Sequence, residues 1–172
     1  ANGIVFSDGT IQVSSPSAST SNNYIQLVST QTTAFKTGTG TVPYDNTIPQ
    51  ITEGFNVVTA TITASAGTNR LIFSINICAA ETANNGDQVA MCLYKDATAD
   101  AIACAAGPTL GDITPCRMWK LNYITTAVDT SAHVYTVRIG CNVGTMDING
   151  ACGASVYGGA LVSGMTIVEI IP

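Results

Sequence analysis

The feature that most constrains the fold is a succession of short apolar segments separated by turns rich in glycine, asparagine and aspartate. In the segment 70–79, RLIFSINICA, the side chains of Leu71, Phe73, Ile75 and Ile77 fall on one face of an extended chain. This period of two is typical of a β-strand with one buried face. Similar composition marks seven further segments: 24–35, 55–64, 88–95, 101–106, 116–124, 133–141 and 160–171. Eight strands at this spacing predict an all-β antiparallel sandwich or barrel and argue against a parallel α/β fold.

The scarcity of charge sets further bounds. Charged residues make up 10% of the 172 residues and the net charge is −5, whereas soluble domains average about 25% charged residues. The six cations are scattered and form no basic stripe, so a nucleic-acid partner is not expected. No apolar run approaches the roughly 20 residues of a membrane helix, so membrane insertion is not expected either. A surface this poor in charge suggests that other copies of the chain cover part of it.

The first residues are set apart from the rest. The stretch GIVFSDGTIQV, residues 3–13, carries Asp8-Gly9 between two alternating apolar runs, which predicts a β-hairpin. A polar Ser/Thr/Asn stretch follows and has the composition of a flexible linker. We therefore predict an N-terminal hairpin and linker at 1–23 and one domain at 24–172.

The final strand, 160–171, has apolar side chains on both of its faces. A two-sheet sandwich has one interior, so burial of both faces predicts a subunit interface. Cover by loops of the same chain is the alternative. The residues assigned to this interface are Met165, Ile167, Val168 and Ile170.

The stretch VPYDNTIPQITEG, residues 42–54, is too broken for a helix. Pro43 and Pro49 cannot donate to a sheet ladder and hold the chain extended. We predict an edge or crossover piece between the first main strand and segment 55–64.

The six cysteines show no CxxC pattern, so a metal site is not expected. Hairpin register would place Cys92 opposite both Cys78 and Cys104, and only one such pair could be bridged at a time. Cys141 and Cys152 flank a glycine-rich loop and are the predicted disulfide. Buried free thiols are the alternative for all six.

Signals for catalysis are weak. The single histidine, His133, has Ser131 nearby but no nucleophile motif, and a histidine at a turn is the favoured interpretation. DINGA, residues 147–151, resembles a fragment of a calcium loop but lacks the remaining ligand positions, and a plain Asn-Gly turn is the favoured explanation. The stripe of Trp119, Leu121 and Tyr123 could stack on sugars, although a place in the core is favoured. We predict no catalytic residue, no metal and no cofactor.

Three ordered stretches resemble a known family. IVFSDGTIQ at the start, YDNTIPQITEG leading into NVVTATITASAGTNRLIFSI, and SVYGGALVSGMTIVEI at the end resemble the C-terminal knob domains of bacteriophage tail-fibre and virion fibre proteins. The cysteine-rich middle departs from the family pattern. The resemblance implies a trimeric jelly-roll, similar in shape to the C1q and tumour-necrosis-factor class, at the end of a virion fibre. It also implies assembly in the host cytoplasm and contacts to other virion proteins through the N-terminal hairpin.

The expected role is binding of a host cell-surface receptor, with a glycan favoured over a protein. The alternatives are a purely structural virion part, such as a head fibre or trimerisation cap, and a glycan-cleaving tailspike. Reversal of successive strands places SAGTN, DATAD and TTAVDTSA at the shaft end and the longer loops at a free tip. Exposed loops on a rigid scaffold are where binding usually resides. The candidate receptor residues are Asn84, Asn85, Asp87, Asp112, Asp147, Asn149 and Tyr157.

Overall fold

A computed structural model describes residues 4–5, 7, 11–12, 23–82, 88–109 and 116–172. Within these ranges the chain forms strands and one short 3₁₀ turn, Tyr157–Gly159. The strands are β1 (Ile4–Val5), β2 (Ile11–Gln12), β3 (Tyr24–Thr32), β4 (Lys36–Gly38), β5 (Phe55–Thr63), β6 (Arg70–Glu81), β7 (Gln88–Lys95), β8 (Ala103–Pro108), β9 (Arg117–Thr126), β10 (Ala132–Cys141), β11 (Met146–Ile148), β12 (Gly150–Ala151), β13 (Ala154–Ser155) and β14 (Ser163–Ile170).

The strands build two packed antiparallel sheets. The first sheet has the order β5-β10-β7-β8. The second has the order β3-β14-β6-β9, and β11 continues beyond β14 along β6 and pairs in turn with β4. All eight main strands predicted from the sequence are present, and the predicted all-β jelly-roll sandwich is confirmed. The N-terminal hairpin is confirmed as well, with Ile4 opposite Gln12. The domain boundary at 23/24 stays a prediction.

The core lies between the two sheets and follows from the alternation along each strand. Phe73, Ile75 and Ile77 of β6 are fully buried and face the buried side chains of the first sheet. Phe73 contacts Tyr135 of β10 with ring centroids 4.7 Å apart. Alternation thus decides which half of each strand becomes interior.

Strand β14 lies between β3 and β6, not at an exposed edge. Its Met165 and Ile167 are buried in the core of the same chain. Their assignment to a trimer interface is therefore wrong, because the inner half of the strand already has its partner in the first sheet. Val168 and Ile170 point to the outer face and are partly exposed, and their assignment stays a prediction.

The connections gather at two ends of the sandwich. At one end, here called the base, Val128 donates its N–H to the Gly67 carbonyl at 2.8 Å, so the loops after β5 and β9 meet. At the other end, here called the tip, Thr82 donates to the Thr145 carbonyl at 2.9 Å. The predicted sorting of loops between the two ends is confirmed for the described residues. Strand β3 enters at the base, where Ile171 donates to Asn23.

Residues 39–54, here called the strap, cross the outer face of the first sheet. The strap begins beside the tip end of β10, with a bridge between Thr41 and Cys141, and reaches Asp100 near the base through Gln50. Val42 packs on Tyr94 of β7 in a small cluster of its own. Of the two predicted arrangements, the segment is a crossover.

The pairing of the cysteines depends on which sheet each one belongs to, and not on their spacing in the sequence. Cys78 is disulfide-bonded to Cys116, with their Cα atoms 6.0 Å apart. Cys92 lies directly opposite Cys104, as predicted. The predicted pairing of Cys78 with Cys92 is wrong, because β6 and β7 belong to different sheets.

The predicted disulfide between Cys141 and Cys152 is wrong. Cys141 is part of the core, whereas Cys152 is exposed in the β12–β13 turn. Between them β11 joins the second sheet, so the intervening chain does not fold back on Cys141.

Candidate functional site

Of the residues that the structure describes, 142–162 build most of the tip, and they contain several left-handed backbone positions. Asp147 lies in β11 between two core residues, so its carboxylate points to the outer side of the second sheet. There it is fully buried, and Oδ2 accepts the Gly153 N–H at 2.6 Å. Oδ1 has no hydrogen-bond partner among the described residues. Asp147 therefore holds the β12–β13 hairpin against the sheet.

Asn149 anchors the same segment and is fully buried, with φ at 54°. Its Nδ2 donates to the carbonyls of Thr32 at 2.9 Å and Ala34 at 3.2 Å, and its Oδ1 accepts from the Ser163 hydroxyl at 2.8 Å. Irregular backbone leaves carbonyls unpaired, and a buried amide satisfies them.

The prediction that Asp147 and Asn149 are exposed binding residues is therefore wrong, because both side chains are buried and form hydrogen bonds within the tip. The other polar candidates lie outside the described residues and stay predictions: Asn84, Asn85, Asp87 and Asp112.

Tyr157 is the predicted tip residue that the structure leaves accessible. It is 81% exposed, at the start of the 3₁₀ turn, and has a φ of 51°. A left-handed conformation is costly for an aromatic residue and often marks a functional position. The ring borders a cavity of about 250 Å³ with a mostly apolar lining: Cys116, Ala151, Val156 and Leu161.

A second accessible surface is the outer side of the sheet β3-β14-β6-β9, here called the bare face. Val168 of β14 lies opposite Leu27 on one side and Ile72 on the other, and Ile72 lies opposite Ile124. These four side chains form one apolar row across four strands. Its two outer members are 64% exposed at Leu27 and 58% at Ile124.

The next row of the bare face carries small uncharged polar groups. Ser29 and Thr166 exchange a hydrogen bond across β3 and β14 at 3.2 Å. The outward positions of these four strands include the cations Arg70 and Lys120 but no carboxylate. Sequence reasoning missed Leu27, Ile72 and Ile124; the signal was an apolar residue among the mainly polar outward positions of each strand.

The base contains two polar clusters. Glu169 is buried, and its carboxylate accepts hydrogen bonds from Asn69, Ser65 and Gln26. Burial alone would raise the pKa of Glu169, but these hydrogen bonds lower it to about 2. The cluster closes the base by tying the end of β14 to the turn after β5.

His133 contacts two carboxylates: its Nδ1 lies 2.8 Å from Asp96 Oδ2, and its Nε2 lies 3.0 Å from Asp129 Oδ1. The Val134 N–H, together with the His133 ring, holds the pKa of Asp96 below its ordinary value. His133 thus links two turns of the base, as a histidine at a turn would.

The stripe of Trp119, Leu121 and Tyr123 packs against the core, which was the favoured interpretation. Among the described residues, no group of three potential metal ligands comes together. Nor does any helix within them have the length and apolarity to cross a membrane.

No family model matches the chain, and no curated protein matches it. Solved structures with distant similarity include the following three. The crystal structure of the infectious bursal disease virus VP2 subviral particle matches with 12% identity and a TM-score of 0.41, over 86% of this chain and 41% of that chain. The structure of the infectious bursal disease virus Gx strain matches with 11% identity and a TM-score of 0.38, over the same 86% and 41%.

The C-terminal domain of EclA, a sugar-binding protein, matches with 15% identity and a TM-score of 0.35, over 72% of this chain and 75% of that domain. The chain thus spans less than half the length of the bursal disease virus chains. The fold follows from the chain's own strand pairing.

Proposed function

We propose that this chain is a virion fibre or tail component that forms a trimeric knob and binds a receptor on the host cell surface, with a glycan favoured. The observation that carries the proposal is the orientation of the domain relative to its N-terminal segment. Strand β3, which follows the N-terminal hairpin and linker, enters at the base. Tyr157 and its cavity lie at the opposite end. A domain attached through its N-terminal segment would therefore present the tip outward.

The bare face supports the trimer. Its apolar row crosses all four strands without a carboxylate to desolvate, and its centre is Val168, one of the predicted interface residues. Two further copies of this chain are the occupants that we propose for this face. Burial of such a row stabilises association by about 25 cal/mol per Å² of apolar surface before the entropic cost of association is subtracted.

Tyr157 supports the glycan. An exposed aromatic ring beside an apolar cavity offers the flat surface on which a sugar ring packs. Since Asp147 and Asn149 are engaged internally, hydrogen bonds to sugar hydroxyls would have to come from other tip groups, such as the predicted Asn84 and Asn85. The proposed role is binding rather than catalysis.

The test is competition for host attachment, preceded by a glycan array to identify the bound glycan. The purified domain should block adsorption of the virus, and Tyr157→Ala should lose at least tenfold in potency. Tyr44→Ala is the matched control, because Tyr44 is a comparably exposed tyrosine, at 74%, on the strap. Light scattering should report three chains for both variants.

Other outcomes would replace the proposal. A stable trimer that binds no glycan and does not block adsorption would favour the head fibre or trimerisation cap. Release of reducing ends from host polysaccharide would favour the tailspike. Equal loss for Tyr44→Ala and Tyr157→Ala would remove the tip from the binding site.

A further inference from the structure

Two thiols meet on the outer side of the first sheet. Cys92 of β7 lies directly opposite Cys104 of β8, and their Sγ atoms are 2.8 Å apart. Directly opposite residues of an antiparallel pair have Cα separations of about 4.5–5.5 Å, within the range that a disulfide spans. The backbone therefore already holds the two cysteines at bonding distance.

The two thiols differ in access and in acidity. Cys104 is exposed on β8, which lies at the edge of its sheet, whereas Cys92 is buried beside Val42 of the strap. The hydrogen bond with Cys92 lowers the pKa of Cys104, and the hydrogen bond with Cys104, together with burial, raises the pKa of Cys92. The pair thus has one accessible thiol that ionises more readily and one shielded thiol behind it, the arrangement of an attacking and a resolving cysteine.

We propose that Cys92 and Cys104 are a site of reversible disulfide formation, driven by exchange with a small-molecule disulfide such as oxidised glutathione. The Cys104 thiolate attacks one sulfur of the oxidant, expels one glutathione thiolate and leaves a mixed disulfide on Cys104. Cys92 then loses its proton to solvent, attacks the Cys104 sulfur and expels the second glutathione thiolate. The two cysteines are oxidised and one oxidised glutathione is reduced to two thiols.

The bond would link the edge strand to its neighbour under the strap. It closes a short loop, because the two cysteines are 12 residues apart, and it joins strands that are already paired. We therefore expect the oxidised form to unfold at a higher temperature than the reduced form, with an unchanged far-UV spectrum.

The test uses the full chain, exposed to oxidised glutathione and then alkylated under denaturing conditions. Trypsin leaves Cys78 and Cys92 on one peptide and Cys104 and Cys116 on another, so the two possible disulfides would join the same two peptides. An aspartate-specific protease is therefore needed. Its cuts at Asp87 and Asp112 separate Cys92 and Cys104 from the Cys78–Cys116 disulfide, and its cuts at Asp96 and Asp100 place Cys92 and Cys104 on different peptides. The expected product is a peptide pair joined through Cys92 and Cys104.

Single variants test the order of the two steps. Cys92→Ser should trap glutathione on Cys104, whereas Cys104→Ser should leave Cys92 unmodified. Cys152→Ser, which removes another exposed cysteine, should leave the peptide pair intact. If Cys92→Ser does not fold, Cys92→Ala is tested in the same way. Wild-type protein that keeps glutathione on Cys104, or in which both cysteines remain open to alkylation, would overturn the proposal.

Discussion

The two outer faces of this sandwich deal with apolar side chains in different ways. On the first sheet, Tyr94 and Cys92 point outward, yet both are fully buried because the strap lies over them. On the second sheet, Leu27 and Ile124 point outward and stay largely exposed. Both sheets therefore have an apolar outer side, but the chain covers one of them itself and leaves the other open. This difference is the reason for placing a subunit contact on the second sheet and none on the first.

The largest expected effect is a difference between substitutions at two neighbouring residues of β14. Ile167→Asp places an unpaired carboxylate in the core and should lower the free energy of unfolding by about 4–5 kcal/mol or more. Val168→Asp places the same group on the bare face and should leave a folded chain that no longer associates. Thermal unfolding and light scattering measure the two effects. A folded trimer of Val168→Asp would break the comparison.

The second prediction concerns the fastening of the strap. Arg138 of β10 donates from Nε to the Glu53 carbonyl and from Nη2 to the Gly54 carbonyl, each at 2.7 Å. Arg138→Ala should cost about 2–4 kcal/mol, since hydrogen bonds from charged groups are worth about 1.5–3 kcal/mol each and the carbonyls lose their partner. Hydrogen exchange in residues 39–54 should accelerate at the same time.

Lys120→Ala is the control, because Lys120 lies on the outer side of the other sheet. Its loss should change the unfolding free energy of the chain by less than about 0.5 kcal/mol. An equal cost for the two substitutions would show that the strap is not held by Arg138.

The third prediction concerns the pH dependence of stability that arises from Glu169, at the base end of the sandwich. Because the folded-state pKa of Glu169 is lowered from 4.5 to about 2, its contribution to stability is complete above pH 4.5 and is lost as the pH falls towards 2. The slope should approach about 1.4 kcal/mol per pH unit, and urea titrations at several pH values measure it. Glu169→Gln should flatten the slope.

The bare face carries no outward carboxylate on its four strands, so association should not change between pH 7 and pH 4.5. Dissociation within that range, before any unfolding, would show that carboxylates contribute to the subunit contact.

The smallest expected effect comes from removing a single hydroxyl, that of Tyr94, beneath the strap. Tyr94 donates its hydroxyl to the Gln50 carbonyl of the strap at 2.9 Å. Tyr94→Phe should therefore cost about 1 kcal/mol. Tyr24→Phe, at an exposed tyrosine beside the bare face, should cost nothing measurable, and urea denaturation of both variants decides.

Alternation in the sequence predicted the main strands and the sandwich, because each strand has a buried half that the period of two reveals. Hairpin register also predicted Cys92 opposite Cys104. The pairing of Cys78 failed, because the connection from β6 to β7 changes sheets, and no local residue pattern records that change.

The candidate site was less predictable than the fold. Asp147 and Asn149 have the composition of an exposed turn, but their partners include backbone groups up to 117 residues away in sequence. Only the tertiary structure decides that these side chains are buried. Tyr157 kept its place because it is held at the surface by a short local turn.

The position of β14 between β3 and β6 has a consequence for how the chain reaches its structure. Ser29 and Thr166, which face each other across β3 and β14, are 137 residues apart in sequence. During synthesis at about 5–20 residues per second, β3 would wait roughly 7 to 27 seconds for its neighbour. Throughout that interval β3 has no strand beside it. Its backbone edges and its exposed Leu27 side chain are then open to other nascent chains. Folding of this domain is therefore expected to be slow and to be completed only after β14 has left the ribosome, with the risk of aggregation concentrated in β3.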